Sequence, residues 1–340
     1  MRYPEFLKEH GTIGFVAPSF GCNTEPYKTA FENAGNKWKE QGYELAYGPN
    51  CFAGEGIGIS NTPEKCGAEL NEFYTAEEND VLISCGGGEL MCEVVPYIDF
   101  ERIRKAKPKW YMGFSDNTNF TFLSATLCDT AAIYGPCAAA FGMEPWHESL
   151  HDAMALLTGK KDCFSGYAMW EKDSLKDEEH PLVPYNLTEQ TVIRRFPDQD
   201  ASFSGRLIGG CMDCLVNLTG TEFDRVAQFN ERYKEDGIIW FLEACELNVM
   251  SIRRAVWHMK HAGWFSHVKG FLIGRPLCFG EEAFGIDHYR AVTDLLAEYE
   301  VPVIMDLDIG HFSPMMPLVC GGTVDVTVTG QKITIQNTWK

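Results

Sequence analysis

The sequence predicts an α/β fold: a Rossmann-like N-terminal domain with a parallel sheet, then a smaller, β-rich, barrel-like C-terminal domain. Three observations carry this. Short apolar runs alternate with helical stretches up to Pro136, the pattern of parallel strands joined by crossover helices. The composition shifts near residue 160 into a charged stretch with no apolar period. Beyond that stretch, short strand-like runs outnumber helical ones. At 340 residues the chain has room for about two domains.

Thr12–Ala17 is a β-rich run that Pro18-Ser19-Phe20-Gly21 breaks. A helix is expected from about Tyr27 to Gln41 and ends at Gly42, and a second strand follows at Tyr43–Tyr47. Pro63–Ala76 reads as helix, with Cys66, Leu70, Phe73 and Tyr74 at helical spacing. Val81–Cys85 is a buried-type strand running into Gly86-Gly87-Gly88. Val94–Ile103 reads as short helical turns, Trp110–Phe114 as strand, Asn117–Cys128 as helix, and Ala131–Pro136 closes the series. Glu171–His180 is charged and aperiodic, so it is expected to be a linker or loop at the active site. Strand-like runs then fall at Gln190–Arg195, Gly205–Ile208, Gly237–Leu242, Gly270–Ile273, Val301–Met305, Gly322–Thr329 and Lys332–Gln336. Helices are expected at Cys211–Leu218, Ser251–Ala262 and Ile286–Tyr299. The expected division is 1–165, a connecting segment 166–189, and 190–340.

Ordinary globular composition, 45% hydrophobic and 23% charged, excludes disordered, collagen-like and coiled-coil classes. A net charge of −19 opposes binding to nucleic acid or to an anionic membrane surface. Thirteen cysteines are an odd count and too sparse for a disulfide scaffold. No apolar window approaches the ~20 residues of a membrane helix, and no signal-like stretch is visible. The expectation is a soluble, reduced, cytoplasmic protein.

The sharpest local feature is Gly113-Phe114-Ser115-Asp116-Asn117-Thr118. A serine on a tight strand-to-helix turn projects its Oγ, and the amides at the helix start face any oxyanion formed beside it. The plain alternative is that Ser115 or Asp116 caps the helix. The G-x-S-x-G pattern is not met, because Asn117 replaces the second glycine. Gly86-Gly87-Gly88 follows a buried strand, where α/β sheets place ligand loops. It is an oxyanion or phosphate cradle, or only a tight turn, and it is no dinucleotide fingerprint. Cys85 is a candidate nucleophile or an inert core thiol.

Glu243 and Glu246 follow the apolar strand Ile238–Leu242, a position from which a carboxylate can orient a histidine or merely meet solvent. His311 lies on a Gly/Pro-bounded loop after a strand, which suits a general base. His258, His261 and His267 lack a completing ligand, so no metal is expected. Cys211 and Cys214 have C-x-x-C spacing without a redox or zinc context. Trp170, beside the charged loop, is expected to be exposed and able to stack on a ligand.

Together these segments resemble the LD-carboxypeptidase family of serine peptidases. The resemblance rests on Gly11-Thr12-Ile13-Gly14 with Ala17-Pro18-Ser19, Gly86-Gly87, Gly113–Thr118, Leu207–Gly210 with Leu218–Thr221, and Phe241-Leu242-Glu243. It continues through Val268-Lys269-Gly270 with Ile273-Gly274 and Gly310-His311 with Pro314 and Pro317. The stretches Glu243–Gly274 and Asp308–Thr334 are most similar to the microcin C self-immunity carboxypeptidase branch.

The resemblance implies a triad of Ser115 as nucleophile, His311 as base and Glu243 as orienter. It implies an oxyanion hole from the N–H groups of Gly87, or Gly86, and Asp116, no cofactor, and a homodimer. The implied substrate is a peptidyl- or aminoacyl-nucleotide, with Trp170 as stacking platform; the alternative is a murein L,D-tetrapeptide losing its terminal D-Ala. Two departures argue against the standard tetrapeptide. Family members usually carry Arg before the first double Gly and Tyr after it, where Cys85 and Gly88 stand. Many carry Asn where Cys211 follows the later pair. Two other classes are carried: a non-catalytic two-lobed binding protein, and a Cys85-based amidotransferase-like enzyme.

Overall fold

The computed structural model describes residues 1–340. The first sheet is built from β1 (Thr12–Val16), β2 (Glu44–Tyr47), β3 (Val81–Ser84), β4 (Trp110–Gly113) and β5 (Ala132–Tyr134). Helices α1 (Tyr27–Glu40), α2 (Pro63–Thr75), α3 (Phe100–Lys105) and α4 (Thr118–Cys128) connect them. These five strands pair in parallel. Every residue of β3, β4 and β5 is buried, as expected where helices cover both faces of a parallel sheet.

After α5 (Glu148–Leu157) the chain enters β6 (Cys163–Ser165) and β7 (Met169–Trp170), then β8 (Glu189–Gln190) and β9 (Arg194–Phe196). β7 pairs antiparallel with β8, so residues 171–188 form an excursion closed at its base. Next come β10 (Ala201–Cys211), α6 (Met212–Leu218), α7 (Val226–Arg232), β11 (Ile238–Glu243), α8 (Val249–His261) and β12 (Val268–Gly274). A small hairpin of β13 (Glu282–Ala283) and β14 (Ile286–Asp287) precedes α9 (His288–Leu296) and β15 (Val303–Leu307). The chain ends with β16 (Leu318–Cys320), β17 (Thr323–Thr329) and β18 (Lys332–Asn337).

The second sheet has the order β6-β18-β17-β10-β11-β12-β15-β9. It is β-rich as expected, but it has two edges rather than closing into a barrel. Its centre, β10-β11-β12-β15, is parallel, because α6 with α7, α8 and α9 supply the crossovers that parallel pairing needs. β17, β18 and β6 add an antiparallel flank.

Two strands cross between the halves. β6 joins the second sheet, and β16 returns to pair with β5 at the edge of the first. One cluster of 76 buried residues runs through both halves. The Cys211 N–H also bonds Thr118 Oγ1 at 3.0 Å, tying the end of β10 to the start of α4. The carboxyl ends of β3, β4, β5, β11 and β15 therefore face one crevice, where open α/β sheets hold their ligands. No helix is long and apolar enough to cross a membrane.

Candidate active site

Ser115 follows β4 and has φ 61°, a left-handed conformation that a non-glycine residue adopts at a cost of order 1–3 kcal/mol. Neighbouring bonds hold it there. The Ser115 N–H donates to Tyr134 Oη at 3.2 Å. Asn117 Nδ2 donates to the carbonyls of Phe114 (3.1 Å) and Gly86 (2.8 Å), and Tyr111 Oη donates to Asn117 Oδ1 at 2.5 Å. Asn117, where a hydrolase elbow has glycine, thus clamps the serine turn to the glycine loop.

Neither Ser115 nor Asp116 caps α4. The helix has no side-chain cap. The Asp116 carboxylate is buried and accepts from Ser19 Oγ (2.6 Å), Met91 N (2.9 Å) and Asn119 Nδ2 (3.0 Å). Ser115 Oγ instead lies 2.8 Å from His311 Nε2. Nδ1 of the same ring lies 2.8 Å from Glu243 Oε2. The structure therefore joins the three residues named from sequence.

Glu243 ends β11, fully buried. Its second oxygen accepts from Tyr134 Oη at 2.5 Å. Tyr134 is the residue that the sequence reading missed: one hydroxyl bridges the Glu243 carboxylate and the Ser115 amide. Burial, and then the Glu243 charge, push its pKa well above the ordinary value, so it stays a protonated donor. Its signal was a tyrosine ending an apolar strand, since a buried phenol needs a polar partner.

Gly310, with φ 105°, gives Glu243 room; a Cβ there would sit 2.5 Å from Oε2. Gly87 abuts the serine, its missing Cβ position lying 3.4 Å from Ser115 Oγ. Gly86 turns its carbonyl to Asn117, which orients the loop.

Burial alone would lower the His311 pKa. The Glu243 charge, with the Cys245 and Glu243 hydrogen bonds, outweighs it and holds the imidazole well above its ordinary value. A base must be neutral to take a proton, so kcat/KM is expected to rise with pH through the raised His311 pKa and then level off. A pH–rate profile with its acid limb centred clearly above the ordinary value of about 6.5 is the expected result. A limb below that value would contradict the electrostatics.

Trp170 departs from expectation. It is only 4% exposed, packed 4.9 Å from Phe312 and 5.5 Å from Phe279, with the Arg275 guanidinium 5.0 Å from its ring centre. Phe312 adjoins His311, and Arg275 forms a buried ion pair with Asp308. The ring thus braces the His311 loop, with no free face for a ligand. Trp170→Ala is expected to cost about 3–5 kcal/mol of stability, measured by denaturant unfolding.

Cys85 is fully buried, and burial, then Cys22 and Cys51, push its thiol pKa well up, which removes the cysteine-nucleophile reading. The Cys214 hydrogen bond, then burial, raises the Cys211 thiol; at Cys214 the Cys211 hydrogen bond lowers the pKa, but burial and the Asp116, Glu243 and Asp213 charges outweigh it. His258 and His261 lie exposed on α8. No group of three His, Cys, Asp or Glu side chains is arranged to hold a metal ion.

The family profile for the LD-carboxypeptidase N-terminal domain matches residues 13–135, and that for the C-terminal domain matches residues 204–326. The chain belongs to the LD-carboxypeptidase family. It is thereby a serine carboxypeptidase-type hydrolase. It is 25% identical over 336 residues to the microcin C7 self-immunity protein MccF of Escherichia coli, covering 95% of this chain and 92% of that one. It is 24% identical over 333 residues to a Vibrio cholerae protein provisionally named a carboxypeptidase, covering 96% and 95%. A solved structure of MccF in complex with glutamyl sulfamoyl guanosine superposes with a TM-score of 0.84 at 21% identity, covering 99% of this chain and 98% of that one. The two-domain fold of this chain is that of MccF.

Proposed function

We propose that this chain hydrolyses an amide through an acyl-enzyme on Ser115. The observation that carries the reading is the unbroken chain from Ser115 Oγ through His311 to Glu243, two contacts of 2.8 Å each. His311 Nε2 takes the Ser115 proton as Oγ attacks the carbonyl carbon. The N–H groups of Gly87 and Asp116, with Gly86 beside them, stabilise the oxyanion. Each such donor is worth about 2.7–4 kcal/mol in the transition state. His311 then protonates the leaving amine, and water, activated by the same nitrogen, releases the acid. Glu243 fixes the ring and stabilises its cationic form.

Two substrate classes follow. MccF has been solved with glutamyl sulfamoyl guanosine and with aspartyl sulfamoyl adenosine, which supports an aminoacyl-nucleotide of the microcin C type. The burial of Trp170 removes that ring as the expected base-stacking surface, which speaks for the second class, a short peptide such as the murein L,D-tetrapeptide, while Cys85, Gly88 and Cys211 speak against its standard form. A mass-spectrometric assay with both substrates tests the proposal. Release of D-Ala alone assigns peptide recycling, and cleavage of the nucleotide analogue alone assigns self-immunity. If neither is cut, both assignments fail and the substrate is an amide of another class. The chain is further proposed to act as a cytoplasmic homodimer, to be checked by sedimentation.

A further inference from the structure

Beside His311 lies a cavity of about 170 Å³, below the roughly 300–1,000 Å³ of clefts that enclose drug-sized ligands. Its wall includes His311, Phe114, Ser313, Glu171, Ser174 and Lys176. The last three come from the charged excursion between β7 and β8. That excursion is held in place. The Glu171 N–H donates to the Ser313 carbonyl at 2.7 Å, two residues beyond His311. The Asn186 N–H donates to Glu171 Oε2 at 2.5 Å, and Asn186 Nδ2 to the Asp173 carbonyl at 2.9 Å. Asp177 Oδ1 accepts from the backbone of Glu179 and His180, pinning the chain just past Lys176.

Lys176 is the anomaly in this wall. Its ammonium has no hydrogen-bond or ion-pair partner in the protein. It rests over the ring of Tyr27, at the start of α1, 5.7 Å from the centroid. Burial lowers its pKa, while Cys22 and Glu171 pull the other way. Partial burial costs the ammonium some of its hydration, and no counter-charge in the protein offsets that cost. Glu171 is not that partner: one of its oxygens is taken by the Asn186 amide, and the two side chains form no ion pair. The cavity also borders His311, the imidazole that must protonate the leaving amine, which suits it to the departing half of the substrate.

We infer that Lys176 binds an anionic group on the leaving half of the substrate, the carboxylate of the released amino acid. This rests on the proposed amide hydrolysis and adds the feature that makes it a carboxypeptidase: recognition of a free chain end. An aminoacyl-nucleotide would instead bring a phosphate or sulfamate to the same ammonium, and the cavity volume favours the smaller carboxylate.

The test compares an L,D-tetrapeptide with its C-terminal amide, and adds aspartyl sulfamoyl adenosine, using wild type, Lys176→Met and Lys176→Arg. Wild type is expected to favour acid over amide in kcat/KM by about 10- to 100-fold, the weight of one charge-assisted hydrogen bond. Lys176→Met should collapse that ratio toward one, and Lys176→Arg should restore most of it. Equal loss on acid and amide, or no preference in wild type, overturns the inference. A Lys176→Met effect confined to the nucleotide analogue also overturns it and assigns the ammonium to the phosphate-like anion.

Binding separates this from failure of the chemistry. Calorimetry of D-alanine and D-alaninamide with the Ser115→Ala variant should show binding of the acid only, lost on adding Lys176→Met. If the amino acid binds this way but no substrate is cut, the hydrolytic reading fails while the carboxylate site stands. If acid and amide bind alike, the site fails whatever the chemistry.

Discussion

Ser115→Ala is expected to lower kcat by about 10⁴- to 10⁶-fold on whichever substrate the wild type cleaves, while stability changes by no more than about 1 kcal/mol. The two halves of this expectation have separate causes. Oγ is the only atom in the site placed to attack, 2.8 Å from a nitrogen that can take its proton, and alanine leaves that nitrogen nothing to deprotonate. Residual turnover above water would come from the amides around Gly87 and from substrate positioning. Folding is spared because the hydroxyl caps no helix, and alanine bears φ 61° no worse than serine. Ser115→Gly adds a control. It should be equally inactive yet more stable than the alanine variant by about 1 kcal/mol, since glycine carries no left-handed penalty. Matched hydrolysis and thermal-melt measurements check both. Inactivation with a matching loss of fold would return Ser115 to a structural role.

The first sheet was legible because its strands are continuous apolar runs separated by amphipathic helices, and both periods survive in a single sequence. The second was harder. The first residues of β10 alternate half-buried and exposed against β17, so the strand begins four residues before the apolar run that marks it. α5 went unmarked although Leu150, Ala153, Met154 and Leu157 repeat at helical spacing. The strand exchange by β6 and β16 leaves no local signal, because it depends on where distant segments pack. Ser115, Glu243 and His311 were nameable because each ends or follows a strand, and the family resemblance supplied their roles. Their mutual distances are tertiary facts. The Trp170 expectation failed for a specific reason. Charge in Glu171–His180 marks the surface for those residues, but β7 turns the preceding ring inward onto Phe312, Phe279 and Arg275. In the sequence Tyr134 is a strand residue and nothing more, because its function comes from two partners, one 19 and one 109 residues away.

Tyr134 makes the second large effect specific. Glu243→Gln is nearly isosteric, yet it is expected to cost about 10⁴-fold in kcat, the scale seen when a triad carboxylate becomes an amide. In the native site both carboxylate oxygens accept, one from Tyr134 Oη and one from His311 Nδ1. An amide has one accepting oxygen and one donating nitrogen. The Tyr134 hydroxyl already accepts from the Ser115 N–H, so its own proton must go to position 243, and the amide oxygen is drawn to that side. The amide nitrogen then faces His311 Nδ1 as a donor. The ring answers by carrying its proton on Nε2, which points at Ser115 Oγ and can no longer accept. Tyr134→Phe in the same background frees the amide to turn its oxygen toward Nδ1, so the double variant should recover part of the activity that Glu243→Gln alone loses. The pH profile gives an independent reading. The Glu243 charge is the largest influence raising the His311 pKa, so the acid limb of kcat/KM should move to lower pH in Glu243→Gln. An unchanged limb, or no recovery on adding Tyr134→Phe, would mean that the carboxylate holds the loop in place without setting the state of the imidazole.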